Sequence, residues 1–178
     1  MSTMPAGGLT QLPLFSRPAA RRHTTFDVAA VSRAARGFTG DFYRTHRYGD
    51  RLWFAIGDVA GKGLPAAVVM AMIQEELEHR LAACAITRCD PAATMERLHA
   101  YLRPLLPRNR FATAVIGHLQ DNGTLMLASA GHCPPLIVRA DRSVELLSPT
   151  GPVIGLLQDA GWTSTTTRLE GGDALVLY

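Results

Sequence analysis

The sequence predicts an α+β fold built largely on antiparallel strands. Two short apolar segments that suit strands come first, two segments with helical periodicity follow, and the rest of the chain alternates apolar runs with turn residues. Strands and helices grouped in this way, instead of alternating one by one, are typical of α+β domains. With 178 residues, 47% of them hydrophobic, the chain is long enough to bury a core.

The first part of the chain supplies two predicted strands. Phe26–Ala35 is an apolar-leaning run that predicts the first strand. Arg51–Val59 is a nearly continuous apolar run, which predicts a strand buried on both faces. Residues 1–21 are rich in Pro, Gly and Ala and lack the continuous apolar stretch of a secretory signal. We expect them to form a leader or linker before a single domain over residues 22–178.

Two amphipathic helices are predicted next. Pro65 stands where the first turn of a helix tolerates proline. Apolar residues then recur every three or four positions, at Val68, Val69, Met72, Ile73, Leu77 and Leu81. Asp90 followed by Pro91 is a favourable N-cap and first position for a second helix. The apolar stripe of that helix is Met95, Leu98, Leu102 and Leu105.

From Phe111 onward the pattern predicts antiparallel strands. Ala112–Leu119 and Thr124–Ala130 flank the run Asp121-Asn122-Gly123, which is a strong hairpin signal. Four further strands are predicted. Leu136–Val138 and Val144–Leu147 flank a polar turn, and Trp162–Leu169 and Ala174–Tyr178 are split by Gly171-Gly172-Asp173.

The composition argues against nucleic-acid and membrane partners. The formal net charge is only +3, and the arginines are scattered apart from the run Pro107–Arg110, so no concentrated basic face is expected. No apolar run reaches the roughly 18 residues that a membrane-spanning helix needs. The cysteines, Cys84, Cys89 and Cys133, are odd in number. This count argues against a disulfide framework and favours a reducing, cytoplasmic location.

Two aspartates are the candidate catalytic and metal-binding residues. Asp41 follows Gly40 in a predicted turn, and Asp58 follows Gly57 at the end of the buried strand. Carboxylates at one end of a sheet, each beside a glycine that permits close backbone approach, suit hard divalent cations. By spacing alone the simpler explanation is favoured, in which Asp58 caps the following helix region and Asp41 terminates a turn, because Asp and Gly populate turns anyway.

The segment Gly57–Gly63 also lies between a predicted strand and a predicted helix, as phosphate-binding loops do. It does not match the nucleotide-binding P-loop pattern. Ile56 stands where that pattern has its first Gly, and Gly63 replaces the Ser or Thr. Nucleotide binding is therefore not favoured.

Five segments stand in a distinctive order, Gly40–Tyr43, Gly57–Ala67, Phe111–Ala114, Ala130–Leu136 and Gly171–Tyr178. In this order and spacing residues 22–178 resemble the SpoIIE/RsbU-like phosphatases of the PPM (type 2C) superfamily. The resemblance implies an α-β-β-α sandwich of antiparallel sheets flanked by helices. It also implies metal-dependent hydrolysis of phosphoserine or phosphothreonine on a regulatory protein, for which an anti-sigma-factor antagonist is one candidate.

The same resemblance implies roles for individual residues. Asp58 would bridge two Mn²⁺ or Mg²⁺ ions, Asp41 would bind the second ion, and the backbone carbonyl of Val59 would complete part of its shell. Lys62 and Arg36 are candidate phosphate contacts, although a solvated loop charge is the favoured interpretation of Lys62. His132 is expected to make a hydrogen bond that stabilises a turn. The glycines expected near the site are Gly40, Gly57, Gly61, Gly63 and Gly131.

The sequence also departs from the family. Thr39 and Arg44 stand where its first motif has Gly and Asp. The family's pattern continues with further metal-binding aspartates after the position of Tyr178, so the domain is expected to be incomplete at its C-terminal end. An alternative function is therefore a non-catalytic module that binds the same phosphorylated partner. Whether the chain is a monomer or a homodimer stays open.

Overall fold

The computed structural model describes residues 21–22, 26–32, 40–61, 63–87, 89–107 and 109–178. The chain divides into two units, residues 1–33 and 34–178. In the first unit, β1 (Arg21–Arg22) pairs with β2 (Asp27–Val28) in an antiparallel hairpin. The strand predicted over Phe26–Ala35 is therefore wrong in extent. The described pairing covers only Asp27 and Val28, residues 29–32 are not part of a strand, and residues 33–35 lie outside the described residues.

The second unit is built on two antiparallel sheets. Its described strands are β3 (Phe42–Tyr48), β4 (Arg51–Val59), β5 (Ala112–Gln120), β6 (Thr124–Ala130), β7 (Leu136–Val138), β8 (Val144–Leu146), β9 (Thr165–Arg168) and β10 (Ala174–Val176). The larger sheet has the order β3-β4-β5-β6-β9, and the smaller sheet has the order β10-β7-β8. Neighbouring strands in both sheets run antiparallel. The prediction of an α+β fold with antiparallel sheets is confirmed.

The turn between β5 and β6 forms where the sequence predicts it. Gly123 adopts φ +88°, a conformation that glycine reaches without the steric cost of a side chain. Its N–H donates to the carbonyl of Gln120, and the side chain of Asn122 accepts from the N–H of Thr124. These local bonds set the β5–β6 register, in which Leu119 lies opposite Leu125.

Helices α1 (Leu64–Thr87) and α2 (Pro91–Leu102) both contact strands of the larger sheet. Asp90 caps α2 as predicted, because its carboxylate accepts from the N–H groups of Ala92 and Ala93. The large helix side chains that are fully buried are Ile73, Leu77, Leu81, Met95, Leu98 and Leu102. They pack in one apolar cluster with sheet residues that include Phe42, Trp53, Ala55, Ile116 and Ala128. None of the helices in the described residues is long and apolar enough to cross a membrane.

Two residues of the predicted helical stripes are exposed, and a third, Met72, is only partly buried. Val68 is 51% exposed and Leu105 is 49% exposed. Val68 lies two positions after buried Ala66 and five positions before buried Ile73, so it points away from the buried face of α1. Leu105 lies beyond the end of α2, and the chain turns there so that Leu106 is buried in its place.

The other face of the larger sheet is also apolar. Its buried residues alternate along the strands with those that face the helices, and they include Leu52, Phe54, Val115, Leu125 and Leu127. In the smaller sheet, Ile137 is fully buried, whereas Val144 and Leu146 are exposed. The second unit therefore buries apolar side chains on both faces of its main sheet.

The cysteine prediction requires a correction. Cys84 in α1 and Cys89 before α2 form a disulfide, with their Cα atoms 4.8 Å apart, while Cys133 is free and exposed. The odd number of cysteines was a poor guide because the short connection between the helices brings two of the three together. Cys84 is also buried within the helix-side core.

Candidate metal centre

Asp58 lies at the end of β4, on the face of the sheet opposite the helices. Its neighbour Val59 has a fully buried side chain in the helix-side core. Because successive side chains of a strand point to opposite faces, Asp58 points away from that core. The residue is exposed, and it lies opposite Thr113 of β5 in the sheet register.

Gly40 packs directly against this strand end. The N–H of Val59 donates to the carbonyl of Gly40 across 3.3 Å. A β carbon added at Gly40 would lie 2.6 Å from Oδ1 of Asp58 and 2.7 Å from the carbonyl oxygen of Val59. Only glycine leaves the space between these two oxygen atoms open, which explains why this residue type stands before Asp41.

The carboxyl groups of Asp41 and Asp58 lie side by side. Partial burial raises the pKa of Asp58, and repulsion by Asp41 and a hydrogen bond between the two side chains raise it further. The backbone N–H of Val59 acts in the opposite direction. Neighbouring carboxylates repel each other unless a proton or a cation lies between them. The pair therefore forms a cation-attracting centre on the exposed end of the sheet.

The oxygen donors that converge here fit a hard divalent cation. They are the Asp58 carboxylate and the Val59 carbonyl, which flank the open space that Gly40 leaves, and the Asp41 carboxyl, which lies next to that of Asp58. Magnesium-like cations prefer carboxylate, carbonyl and water oxygens. Within the part of the chain that the structure describes, no group of three or more His, Cys, Asp and Glu that could hold a metal ion is found.

Thr113 and His132 connect this centre to the neighbouring strands. The Oγ1 of Thr113 lies 2.9 Å from Nδ1 of His132 and 3.5 Å from the backbone carbonyl of Asp58. Burial lowers the pKa of His132, while the backbone of Tyr178 and the negative charge of Asp41 oppose this shift. His132 therefore bonds across from the end of β6 to the strand beside Asp58.

Arg110 is a residue to which no sequence motif assigned a role. It was seen only as a member of the basic run before β5. Its Nη1 donates to the carbonyl of Ala60 across 2.8 Å, directly after the end of β4. Its guanidinium also lies so close to Gly61 that a β carbon there would overlap it. Gly61 has φ +120°, which further favours glycine at this turn.

The remaining predicted residues lie around the centre or outside the described residues. Gly57 packs beneath the ring of Phe42, which leaves no room for a side chain. Gly63 and Gly131 adopt φ +74° and +59° in the turns after β4 and β6. Lys62, Arg36 and Thr39 fall outside the residues that the structure describes.

The departure at Arg44 lies away from the two aspartates. Arg44 alternates with Tyr43 along β3 and shares the helix side of the sheet with Phe42. Its Nε lies 3.8 Å from a carboxylate oxygen of Glu78 in α1. This replacement therefore changes a surface contact between sheet and helix, and not the donors beside Asp58.

Comparison with known families decides the assignment. The family model of SpoIIE, stage II sporulation protein E, matches residues 48–178, which is most of the chain. The chain belongs to the SpoIIE family. Membership confirms the resemblance to SpoIIE/RsbU-like members of the PPM superfamily that the five sequence segments indicated.

Individual members of the SpoIIE family and related structures agree with this assignment. Phosphoserine phosphatase RsbU of Bacillus subtilis (strain 168) is 29% identical over 154 residues, which are 85% of this chain and 45% of RsbU. The crystal structure of the RsbU and RsbW domains of Rv1364c from Mycobacterium tuberculosis matches with 30% identity and a TM-score of 0.69, over 79% of this chain and 38% of that one.

RsbX in complex with magnesium shares the fold at 16% identity, with a TM-score of 0.71 over 90% of this chain and 77% of that one. The chain spans less than half the length of the curated relatives that it matches.

Proposed function

We propose that this chain is a metal-dependent phosphatase that removes phosphate from phosphoserine or phosphothreonine of a regulatory protein. The observation that carries the proposal is the convergence of the Asp41 and Asp58 carboxylates beside the Val59 carbonyl, around the space left by Gly40. Similarity to RsbU, a phosphoserine phosphatase by name, supports the reaction class.

Each residue of the centre has a distinct proposed task. The Asp58 carboxylate would contact both cations, Asp41 would hold the second, and the Val59 carbonyl would complete part of its shell. Two Mn²⁺ or Mg²⁺ ions supply an activated water molecule and neutralise charge that develops on the phosphoryl group. Gly40 keeps the space between the donors open, and Thr113 with His132 fixes the strand end that carries Asp58.

The substrate side of the proposal rests on charge and on family likeness. A phosphoryl group carries negative charge, so Lys62 and Arg36 are proposed to attract it toward the cations. The proposed partner is a phosphorylated regulatory protein, such as an anti-sigma-factor antagonist, and the proposed location is the cytoplasm. Nucleic acid and membrane are not proposed as partners, because the mild net charge of +3 gives no basis for them.

The test compares turnover and binding in the same preparations. With Mn²⁺, we expect the chain to hydrolyse p-nitrophenyl phosphate, and Asp58→Asn to lower kcat at least about 100-fold because it weakens cation binding. Asp159→Asn is a matched control, since Asp159 is exposed and lies outside the centre.

Equal turnover of the wild-type and Asp58→Asn chains would contradict the proposed site. Calorimetry with a phosphorylated antagonist protein measures binding, and so tests the alternative function as a non-catalytic binding module. Binding without any turnover would support the non-catalytic module instead of the enzyme.

A further inference from the structure

The segment that follows β4 is held by three backbone groups in succession. The N–H of Val59 donates to Gly40, the N–H of Ala60 donates to the carbonyl of Phe111 across 2.9 Å, and the carbonyl of Ala60 accepts from Nη1 of Arg110. The first of these bonds leads to the β3 side of β4, and the other two lead to the β5 side. Arg110 supplies the only side chain among the three bonds.

This arrangement determines where the carbonyl of Val59 points. The peptide group between Val59 and Ala60 is planar and trans, so its C=O and N–H point in opposite directions. Since the N–H of Ala60 points toward Phe111 in the direction of β5, the carbonyl of Val59 points toward β3. This direction agrees with its close approach to Gly40. Ala60 joins this peptide to the Ala60–Gly61 peptide, whose carbonyl accepts from Arg110, so two bonds hold the backbone on either side of one α carbon.

Arg110 is suited to hold this peptide because its charge is not used in an ion pair. Every Asp and Glu of the chain lies in the part that the structure describes, and none of them is within ion-pair distance of Arg110. Its planar guanidinium instead lies against the backbone of Gly61 while one N–H bonds to Ala60. A lysine could supply a donor but not the flat, rigid contact with the glycine.

We propose that Arg110 is a positioning residue. It locks the Ala60–Gly61 turn and thereby keeps the Val59 carbonyl aimed at the space between Gly40 and Asp58. The link to a bound cation rests on the proposed function, whereas the locking of the turn does not.

Amide hydrogen exchange measured by NMR on the cation-free chain tests the locking. In Arg110→Met we expect the amides of Val59 and Ala60 to exchange at least about tenfold faster, because a hydrogen bond made by a charged group is lost. Amides shared by β5 and β6 should keep their protection. In Arg110→Lys, which retains a donor, the exchange rates of Val59 and Ala60 should fall between those of the wild type and those of Arg110→Met.

Arg103→Met is the matched control. Arg103 comes directly after the end of α2, and its side chain donates a hydrogen bond to Gln158 at an exposed position. Wild-type exchange rates at Val59 and Ala60 in Arg110→Met would overturn the proposal, whatever the chain does with metal. An equal acceleration in Arg103→Met would overturn it too, since that result would follow from the loss of any positive charge.

Mn²⁺ affinity, measured by electron paramagnetic resonance, tests the aiming of the carbonyl. Residues that orient metal ligands typically change affinity 10- to 100-fold, so we expect Arg110→Met to weaken Mn²⁺ binding about tenfold. Faster exchange with unchanged Mn²⁺ affinity would overturn the claim that Arg110 keeps the Val59 carbonyl aimed at the cation site. A raised KM for p-nitrophenyl phosphate with unchanged Mn²⁺ affinity would also overturn that claim, because it would indicate that Arg110 contacts the phosphate directly. If the wild-type chain binds no Mn²⁺, the proposed function fails while the exchange result still decides the role of Arg110.

Discussion

The backbone of Gly40 stands so close to Asp58 that a β carbon at residue 40 would lie 2.6 Å from the Asp58 carboxylate. The same carbon would lie 2.7 Å from the carbonyl of Val59. One glycine therefore separates two of the oxygen donors of the candidate centre. Because this space exists only where residue 40 has no side chain, the addition of a single methyl group there is enough to test it.

Gly40→Ala is expected to disable the centre while the fold remains intact. The added methyl group must push Asp58 or the Val59 carbonyl aside, and a displacement of about 1 Å at a reacting centre can cost about 100-fold in rate. Mn²⁺-dependent hydrolysis and thermal unfolding measure the two effects. Gly171→Ala is the matched control, because a β carbon there meets no atom within 4 Å. Retention of full activity by Gly40→Ala would show that the oxygens need not lie where the structure has them.

The hydrogen bond between Thr113 and His132 is expected to contribute measurable stability. Thr113→Val keeps the shape of the side chain and removes the hydroxyl, so it should lower the free energy of unfolding by about 1 kcal/mol. A double-mutant cycle with His132→Phe, which removes the ring nitrogen, in urea denaturation should give a coupling energy of about 0.5–1.5 kcal/mol. Additive effects of the two substitutions would mean that this contact contributes nothing.

His118 is expected to make stability depend on pH. Burial and the positive charge of Arg51 lower its pKa to about 4, while Asp90 and Asp50 act in the opposite direction. Below its ordinary pKa of 6.5 the unfolded chain takes up a proton that the folded chain refuses. The free energy of unfolding should therefore fall as the pH drops from about 6.5 to about 4, by up to about 1.4 kcal/mol per pH unit.

The measurement is urea unfolding at pH 7 and pH 5 for wild type and His118→Gln. Burial also lowers the pKa of His99 and His132, so these residues contribute a fall in the same direction in both proteins. The wild-type chain should lose roughly 1–2 kcal/mol more than the variant between these pH values. Parallel losses would remove His118 as a source of the pH dependence.

Reduction of the Cys84–Cys89 disulfide is expected to destabilise the chain. The bond closes a short loop of the chain between α1 and α2, and loop-closure entropy for so short a loop gives about 2 kcal/mol. Thermal unfolding with and without a thiol reductant measures the difference. Cys89→Ser removes the bond without altering buried Cys84, so its unfolding should not respond to reductant. Alkylation of all three cysteines without prior reduction would contradict the bond.

Local patterns were sufficient to predict elements whose geometry is set by neighbouring residues. The hairpin around Gly123 and the capped start of α2 at Asp90 follow from turn and cap chemistry within a few positions. The exposure of Val68 depends instead on which face of α1 meets the sheet. Leu105 and the Cys84–Cys89 bond depend on where each helix ends and how the chain then turns. A periodic pattern contains no information about that point.

The same distinction applies to the candidate centre. Asp41, Asp58 and Gly40 stand in short segments that resemble a family, so the sequence identified them. Thr113 was part of such a segment, but its partners depend on the register that places it opposite Asp58. Arg110 reaches Ala60 across fifty positions of sequence. Residues that act through contacts of this kind become visible only after the strands are paired.

Val59 belongs to two environments at once. Its side chain is fully buried against the helices, while its carbonyl faces Gly40 and Asp58. A substitution in the packing around this valine would therefore be transmitted through a single peptide unit to the exposed carboxylates. Selection on the interior and selection on the candidate centre therefore act on the same residue, and a variant with tighter packing there is expected to shift the oxygen donors as well.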